Sequence, residues 1–304
     1  MRPQGLALGP MQTPGWFKQA LDAPMAERVI DVDGASIRYL DWGRAGQPGL
    51  VLVHGGAAHA HWWSFIAPYF NDRYHVVALD LSGHGDSGRR RRYSHSLWAD
   101  EIMAVANDAK FPGPPVVVGH SLGGLVTIQT AVDHGNRLAG AVIVDSPVRR
   151  PDPESEEGAR GAAFRSPGTY ATLEEAIARF RLIPPQPCDN DFIIDHIARH
   201  SLTETNDGWT WKFDPHLFTH TMVPLNEQLA AVRIRVALIR GHHSVVVPAD
   251  TADYMYELMG RVAPVITIPE AHHHLFLDQP LAFVSALRAL LADWDHSIPK
   301  GTRS

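Results

Sequence analysis

The sequence has 304 residues, 45% hydrophobic and 20% charged, so it can bury a large core and has the composition of a soluble globular protein. The formal net charge of −6 at pH 7 gives no reason to expect nucleic acid or an anionic membrane as a partner. The single cysteine, Cys188, excludes an internal disulfide, and the lack of a signal-peptide pattern or of 18 consecutive apolar residues favours a cytoplasmic protein.

The first part of the chain predicts alternating strands and helices. Residues 1–24 mix proline, glycine and glutamine and are expected to be an N-terminal extension. Apolar and polar residues then alternate over 28–33 and 36–42 around Asp33-Gly34, which predicts a β-hairpin. The pattern then predicts buried strands at 50–53 and 75–79, a helical aromatic stretch at 61–70, and a helix at 94–110 capped by Ser94 or Ser96.

The most informative motif follows a predicted buried strand at 116–118. Residues 119–123 read Gly-His-Ser-Leu-Gly, and helical spacing of apolar residues begins directly after them. A G-x-S-x-G sequence between a strand and a helix is typical of a tight turn that exposes a strained serine. We therefore expect Ser121 to be a nucleophile and the backbone N–H of Leu122 to be one donor of an oxyanion hole.

A strand at 141–144 ends at Asp145, and the composition then changes. Residues 146–232 contain many prolines and short helical patterns at 173–180 and 192–200, but no buried strand. Beyond them the pattern predicts strands at 236–239 and 265–268 and helices that begin at Pro248 and Pro280.

This alternation predicts an α/β fold with a mostly parallel central sheet and helices on both faces. Residues 25–145 and 233–304 are expected to form the core, and residues 146–232 an inserted helical cap. Open α/β sheets bind ligands at the carboxyl ends of their strands, so we expect the cap to cover that edge.

A nucleophilic serine needs a base that accepts its proton and a partner that orients the base. Residues 272–274 are three consecutive histidines in the loop between the last predicted strand and the last helix, so any of them could serve. Adjacent residues rarely converge on one ion, and no cysteine or carboxylate cluster accompanies them, so we expect neither a metal nor a cofactor. A second oxyanion donor is expected from the loop containing Gly55 and Gly56, which lets backbone approach a substrate closely.

These motifs together resemble the α/β-hydrolase superfamily over about residues 28–295. The resemblance is carried by His-Gly-Gly at 54–56, the segment 80–87 with its Gly-His-Gly-Asp-Ser turn, the pentapeptide at 119–123, and His273 followed by Asp-Gln-Pro at 278–280. It implies an α/β-hydrolase fold with a variable cap. It selects His273 as the base, because the family histidine stands five residues before the acidic residue of the closing motif. It likewise implies Gly56 as the second oxyanion donor.

The sequence departs from the family at the third member of the triad. The family usually places the acid in a Gly-x-x-Asp loop after the strand at 236–239, and here that position is Ser244. Some members instead have the acid directly after the strand that follows the nucleophile, which corresponds to Asp145. We therefore expect Asp145 to be the acid, although it could simply be an Asx-turn residue. Asp250 and Asp253 are weaker candidates, because both lie at the start of a predicted helix.

The resemblance implies a serine hydrolase that cleaves a small ester, lactone or related acyl compound through an acyl-enzyme. Carbon–carbon bond hydrolases, cofactor-free haloperoxidase-like enzymes and non-catalytic ligand receptors share the fold and remain alternatives. Dehalogenases and epoxide hydrolases use an aspartate nucleophile, so Ser121 argues against both. His120, Trp209 and Trp211 are candidate pocket residues for an apolar or aromatic small-molecule substrate, although the tryptophans could equally pack within the cap. The sequence does not indicate an oligomeric state.

Overall fold

The computed structural model describes residues 13–150, 168–218 and 225–296. Ten strands are present in these ranges: β1 (Ala26–Val32), β2 (Ala35–Trp42), β3 (Gly49–Val53), β4 (His75–Leu79), β5 (Val116–His120), β6 (Gly140–Val144), β7 (Leu202–Thr205), β8 (Gly208–Trp211), β9 (Val236–Gly241) and β10 (Val265–Ile268). Eight of them form one sheet in the order β1-β2-β4-β3-β5-β6-β9-β10. Only the pairings of β2 with β1 and with β4 are antiparallel in this sheet, so the predicted mostly parallel sheet is confirmed.

Nine α-helices lie within the described ranges: α1 (Gly15–Leu21), α2 (His95–Asp108), α3 (Leu122–Asp133), α4 (Leu173–Ala178), α5 (Asp191–His200), α6 (Asn226–Ala231), α7 (Ala249–Leu258), α8 (Leu275–Asp278) and α9 (Pro280–His296). The four central strands β3, β4, β5 and β6 are buried along their whole length. Such strands need helices on both faces to exclude water, which is why they are continuous apolar runs rather than alternating ones.

The two faces of the sheet belong to separate apolar clusters. Side chains alternate along a strand, so Leu50 and Leu52 of β3 pack in the cluster that contains Leu287 of α9. Val51 and Val53 of the same strand pack on the opposite face, in the cluster that contains helix α2. The sheet is therefore the middle layer of a three-layer α/β structure, as the sequence predicts.

Most of the predicted elements are confirmed, with one correction in the aromatic stretch. The hairpin turns at Asp33-Gly34, and the Ser94 hydroxyl accepts a hydrogen bond from Leu97 N at 3.2 Å as the N-cap of α2. The predicted helix at 61–70 is instead two short 3₁₀ helices, Ala60–Trp62 and Ala67–Phe70. Pro68 has no backbone N–H to donate, so a continuous α-helix is disfavoured there.

Between β6 and β9 the described residues form α4, α5, the β7–β8 hairpin and α6. The hairpin was not predicted, because its half-buried strands lack the apolar run of a core strand. The segment after β8 is held to the core by backbone hydrogen bonds: Gly85 N donates to Lys212 O, and Asp214 N donates to Gly83 O, both at 2.8 Å. Parts of the predicted cap, residues 151–167 and 219–224, lie outside the described residues.

The described part of the predicted N-terminal extension packs against the rest of the chain. Phe17 of α1 is buried, and its ring centroid lies 4.9 Å from that of Phe192 on α5 and 5.6 Å from that of Phe65. Residues 1–12 of the extension lie outside the described residues. Among the helices of residues 13–150, 168–218 and 225–296, none is both long and apolar enough to cross a membrane.

Candidate active site

The turn between β5 and α3 consists of one residue, Ser121. Its φ of 52° and ψ of −118° are strained for a non-glycine residue, and its N–H donates to Val144 O at 3.0 Å. A Cβ at Gly119 would lie 2.1 Å from Gly123 O, and a Cβ at Gly123 would lie 2.4 Å from His54 O. Only glycine fits at these two positions, so the motif residues are required by the geometry of the turn.

His273 lies in the loop between β10 and α8, and its Nε2 is 3.1 Å from the Oγ of Ser121. Its imidazole is almost completely buried. Two contacts hold the loop in place: the ring of His120 donates from Nε2 to the carbonyl oxygen of His273 at 3.0 Å, and His274 N donates to Gln186 Oε1 at 2.8 Å. The side chains of His120 and Gln186 thus hold the backbone of the histidine loop at two successive residues.

Asp145 follows β6 directly and is fully buried. Its Oδ2 accepts a hydrogen bond from His273 Nδ1 at 2.7 Å, and its Oδ1 accepts one from Gly241 N at 3.0 Å. Because Nδ1 carries the proton in this arrangement, Nε2 is free to accept the hydroxyl hydrogen of Ser121. The structure therefore aligns the three side chains that the sequence analysis selected.

The alternative acids lie elsewhere. Asp250 and Asp253 are exposed on α7, and Asp250 Oδ1 accepts a hydrogen bond from the neighbouring Thr251 N at 2.8 Å. The carboxylate that the ring of His273 contacts is that of Asp145. Strands β6, β9 and β10 are successive parallel neighbours, so the residue after β6 and the histidine loop after β10 reach the same edge of the sheet. That adjacency brings Asp145 to the histidine.

The loop after β3 packs directly against the nucleophile turn. Val53 pairs with Gly119 in the parallel register, and a Cβ at Gly55 would lie 3.2 Å from the Cβ of Ser121. Gly56 follows in this loop, and Leu122 begins α3, where backbone N–H groups have no acceptor within the helix. The two predicted oxyanion donors thus belong to adjoining segments beside Ser121.

One buried histidine fixes the shape of this loop. His54 donates from Nδ1 to Gly55 O at 2.7 Å and accepts at Nε2 from Leu81 N at 3.1 Å. Both bonds need the neutral ring with its proton on Nδ1. Burial lowers the pKa of His54, so this form persists at neutral pH.

A sequence model described as the alpha/beta hydrolase family matches residues 50–287. The chain belongs to this family. The match covers the nucleophile turn and the histidine loop, and the alpha/beta hydrolase fold expected from the sequence is confirmed.

The relatives of this hydrolase include proteins whose names describe an activity. Esterase Rv0045c of Mycobacterium tuberculosis is 25% identical over 278 residues, which cover 89% of this chain and 91% of that protein. Its crystal structure matches with a TM-score of 0.70 at 22% sequence identity, over 91% of this chain and 95% of that one. The pimeloyl-(acyl-carrier protein) methyl ester esterase of Nitrosomonas europaea is 30% identical over 247 residues, 80% of this chain and 95% of that protein.

The third relative is the 2-hydroxy-6-oxo-6-(2'-aminophenyl)hexa-2,4-dienoic acid hydrolase of Metapseudomonas resinovorans. It is 25% identical over 292 residues, 89% of this chain and 92% of that protein. The chain is thus a hydrolase similar to the carboxylic ester hydrolases.

The candidate pocket residues of this hydrolase have contacts of their own. His120 is fully buried, and burial lowers its pKa well below the usual value, so its ring is neutral beneath the His273 loop. The half-buried Trp211 contacts the rings of Tyr170 and Phe180, with centroids 6.1 and 5.9 Å away. Trp209 is also half-buried and pairs with Tyr170 through the backbone. These contacts of the two tryptophans lie within the predicted cap.

Ser244 has a part in this hydrolase that the sequence does not reveal. Its hydroxyl donates to Asp145 Oδ2 at 2.5 Å and accepts from Val246 N and Val247 N, each at 3.1 Å. The only sequence signal was its position in the loop where the family usually has the acid. Ser244 thus contacts Asp145, the partner of His273, as a hydrogen-bond donor rather than as an acid.

Proposed function

We propose that this hydrolase cleaves a small ester, lactone or related acyl substrate through an acyl-enzyme formed on Ser121. The observation that carries the proposal is the chain of two hydrogen bonds from Asp145 to His273 and from His273 to Ser121, at 2.7 and 3.1 Å. This arrangement makes a neutral serine hydroxyl into a nucleophile, because the base is in contact with it and is itself held in the required tautomer.

In the acylation half-reaction, the Oγ of Ser121 attacks the carbonyl carbon while His273 Nε2 accepts its proton. Asp145 stabilises the imidazolium that results. The carbonyl oxygen becomes an oxyanion, and the backbone N–H groups of Gly56 and Leu122 donate to it; each such donor is worth about 10²–10³ in rate. Collapse of the intermediate expels the alcohol, which takes the proton from His273 and leaves the acyl group on the serine.

In the deacylation half-reaction, water enters the position that the alcohol has left. His273 removes a proton from the water as its oxygen attacks the acyl carbonyl, and the same two backbone donors hold the second oxyanion. The carboxylic acid departs, and Ser121 regains its hydrogen from the imidazolium. The cycle consumes one water and uses no cofactor or metal.

The relatives support the ester as substrate class, since two of them are named as esterases. We propose that residues 146–232 act as a cap and that Trp209 gives the pocket an apolar or aromatic wall, whereas Trp211, with its ring contacts to Tyr170 and Phe180, packs within the cap. We assign His120 a positioning part, because its hydrogen bond ends on the backbone of His273 rather than on a group that a substrate could meet.

A second candidate is hydrolysis of a carbon–carbon bond, which the same three side chains can support. The relative named as a 2-hydroxy-6-oxo-6-(2'-aminophenyl)hexa-2,4-dienoic acid hydrolase favours it over the haloperoxidase-like alternative. Incubation with such a dienoic acid, followed through the loss of its ultraviolet absorbance, measures this activity directly. Turnover of the dienoic acid that exceeds that of every ester would favour the second candidate.

The test of the proposal combines turnover with covalent labelling. The wild-type protein should hydrolyse p-nitrophenyl esters of graded chain length and should react once with a fluorophosphonate probe. Ser121→Ala should do neither, and Ser285→Ala, which removes an exposed serine on α9, should do both. Labelling that persists in Ser121→Ala would contradict the nucleophile, and ligand binding without any turnover by the wild type would favour a receptor.

A further inference from the structure

A second histidine cluster lies between α5 and the segment that follows β3, and the proposed mechanism does not use it. It consists of His61, His196 and His200, whose potential ligand nitrogens all lie within 4.8 Å of one another. The rings of His61 and His200 are stacked with centroids 3.9 Å apart, and those of His196 and His200 are 4.5 Å apart. Three imidazoles so close together offer enough nitrogen atoms for one metal ion.

Two of the three histidines belong to one helix at the spacing that suits a metal ion. His196 and His200 are four residues apart on α5, so they project from the same face of the helix. Helical histidine pairs at this spacing bind zinc in metalloproteases. Ile193 and Ile197 of the same helix are buried, whereas Arg199 is exposed, so the histidines lie at the margin of the packed face.

The hydrogen bonds leave each ring of the α5 pair with one nitrogen available. His200 Nδ1 donates to His196 O at 2.9 Å, which leaves Nε2 to bind an ion. His196 Nε2 lies 2.8 Å from Ser64 Oγ, which leaves Nδ1.

We propose that His61, His196 and His200 bind one divalent transition-metal ion, with zinc as the first choice, and that the ion joins helix α5 to the core. Imidazole nitrogens bind zinc at about 2.0–2.1 Å, so two ligands of one ion can be at most about 4 Å apart. Side-chain rotations that move the nitrogens by about 1 Å therefore complete the site. Three protein ligands leave a fourth position for water.

Arg38 is the group that competes with the ion. Its Nη2 lies 3.3 Å from His61 Nε2, which accepts a hydrogen bond there. A metal-bound imidazole has no free acceptor, because one nitrogen binds the ion and the other carries the proton. Binding therefore breaks this contact, but Arg38 keeps its ion pairs with Glu27 at 2.8 Å and Asp80 at 3.4 Å.

The experiment is a calorimetric titration of the full chain with Zn²⁺ at pH 7.5, after treatment with a chelator. We expect one ion per chain. His196→Asn and His200→Asn should each weaken binding about tenfold or more, since loss of a mere supporting contact already costs about that much. The matched control is His242→Asn combined with His243→Asn, which removes an exposed histidine pair near Glu270 and should leave the affinity unchanged.

Three results would overturn the proposal: no binding by the wild type, wild-type affinity in both α5 variants, or loss of binding in the control. If the α5 variants fail to fold, the wild type is loaded with Cu²⁺ and its electron paramagnetic resonance spectrum is recorded. We expect the spectrum to show coupling of the copper to imidazole nitrogens, and a spectrum without it would contradict the proposal. Zinc should also leave fluorophosphonate labelling of Ser121 unchanged. Blocked labelling would place the ion on His120, His273 and His274, which also lie close together, and would contradict the assignment.

Discussion

Ser244 and Asp145 share the shortest hydrogen bond around the candidate triad: the serine hydroxyl donates to Asp145 Oδ2 at 2.5 Å. The same oxygen accepts the hydrogen bond from His273 Nδ1. Ser244 thus stands beside the histidine's partner, with its own oxygen saturated by two backbone N–H groups. The hydroxyl can orient the carboxylate, but it has no charge with which to stabilise an imidazolium.

Asp145→Asn should lower kcat by at least about 10², with little change in KM. The reason is that the amide cannot stabilise the imidazolium, and it favours the wrong tautomer of His273; a full loss of about 10⁴ is known for the corresponding change in serine proteases. Steady-state kinetics with a p-nitrophenyl ester measures the effect. Asp250→Asn is the control and should stay near wild type, because that carboxylate is exposed on α7. Near-wild-type turnover by Asp145→Asn would refute the assignment of the acid.

Ser244→Asp should recover part of the lost activity when it is introduced into the Asp145→Asn protein. The hydroxyl of Ser244 already lies 2.5 Å from the oxygen that His273 contacts, so a carboxylate there comes close to the same ring nitrogen. The measurement is kcat of the double variant against that of Asp145→Asn alone. Ser244→Asn is the uncharged comparison and should recover nothing. Equal rates for the two double variants would show that the charge at this position does not reach the histidine.

His273→Ala should be as inactive as Ser121→Ala, whereas His272→Ala should keep most of the activity. His272 is partly exposed, and its ring contacts Asp278 rather than the serine, with Nδ1 3.2 Å from Oδ2. Its backbone N–H also donates to Asp278, and the substitution leaves that bond in place. Ester turnover and thermal melting distinguish lost chemistry from lost folding. An inactive but folded His272→Ala would show that the base is His272 and not His273.

Trp211→Ala tests whether this ring lines a pocket or packs within the cap. Its contacts with Tyr170 and Phe180 favour packing, and because it is half-buried the loss of stability should be smaller than the 3–5 kcal/mol known for fully buried aromatic residues. We expect a lower melting temperature and an unchanged order of preference among ester chain lengths. A shifted preference with an unchanged melting temperature would instead show that the ring of Trp211 lines the pocket.

The free energy of unfolding should fall as the pH drops below about 6.5. Burial lowers the pKa of His95 in the folded protein to about 4, whereas the unfolded chain binds this proton near 6.5. The unfolded state therefore takes up the proton first, and stability is lost between pH 6.5 and 4. Urea unfolding at pH 7.5, 6.5 and 5.5 measures the slope. His95→Gln should flatten it, and Ser96→Ala, at an exposed neighbouring position, should not.

The strands, the nucleophile turn and the N-cap of α2 could be predicted because their signals are local. Apolar runs define β3, β4, β5 and β6, and Gly119 and Gly123 are required where backbone atoms would meet a Cβ. The aromatic stretch at 61–70 and the β7–β8 hairpin were less predictable. In the first, one proline outweighed a helical pattern, and in the second, half-buried strands left no apolar run.

By itself the sequence determined the buried strands, the serine on its turn and the position of the histidine loop, since each depends on residues within a few positions of one another. The tertiary structure decided among the candidate acids by bringing Asp145 to His273, and it alone decided that Ser244 supports Asp145 and that His61 joins the pair on α5. His61 and His196 are far apart in the chain, as are Asp145 and His273. Such contacts depend on which strands and helices become neighbours in space, and a local pattern of residues does not determine that arrangement.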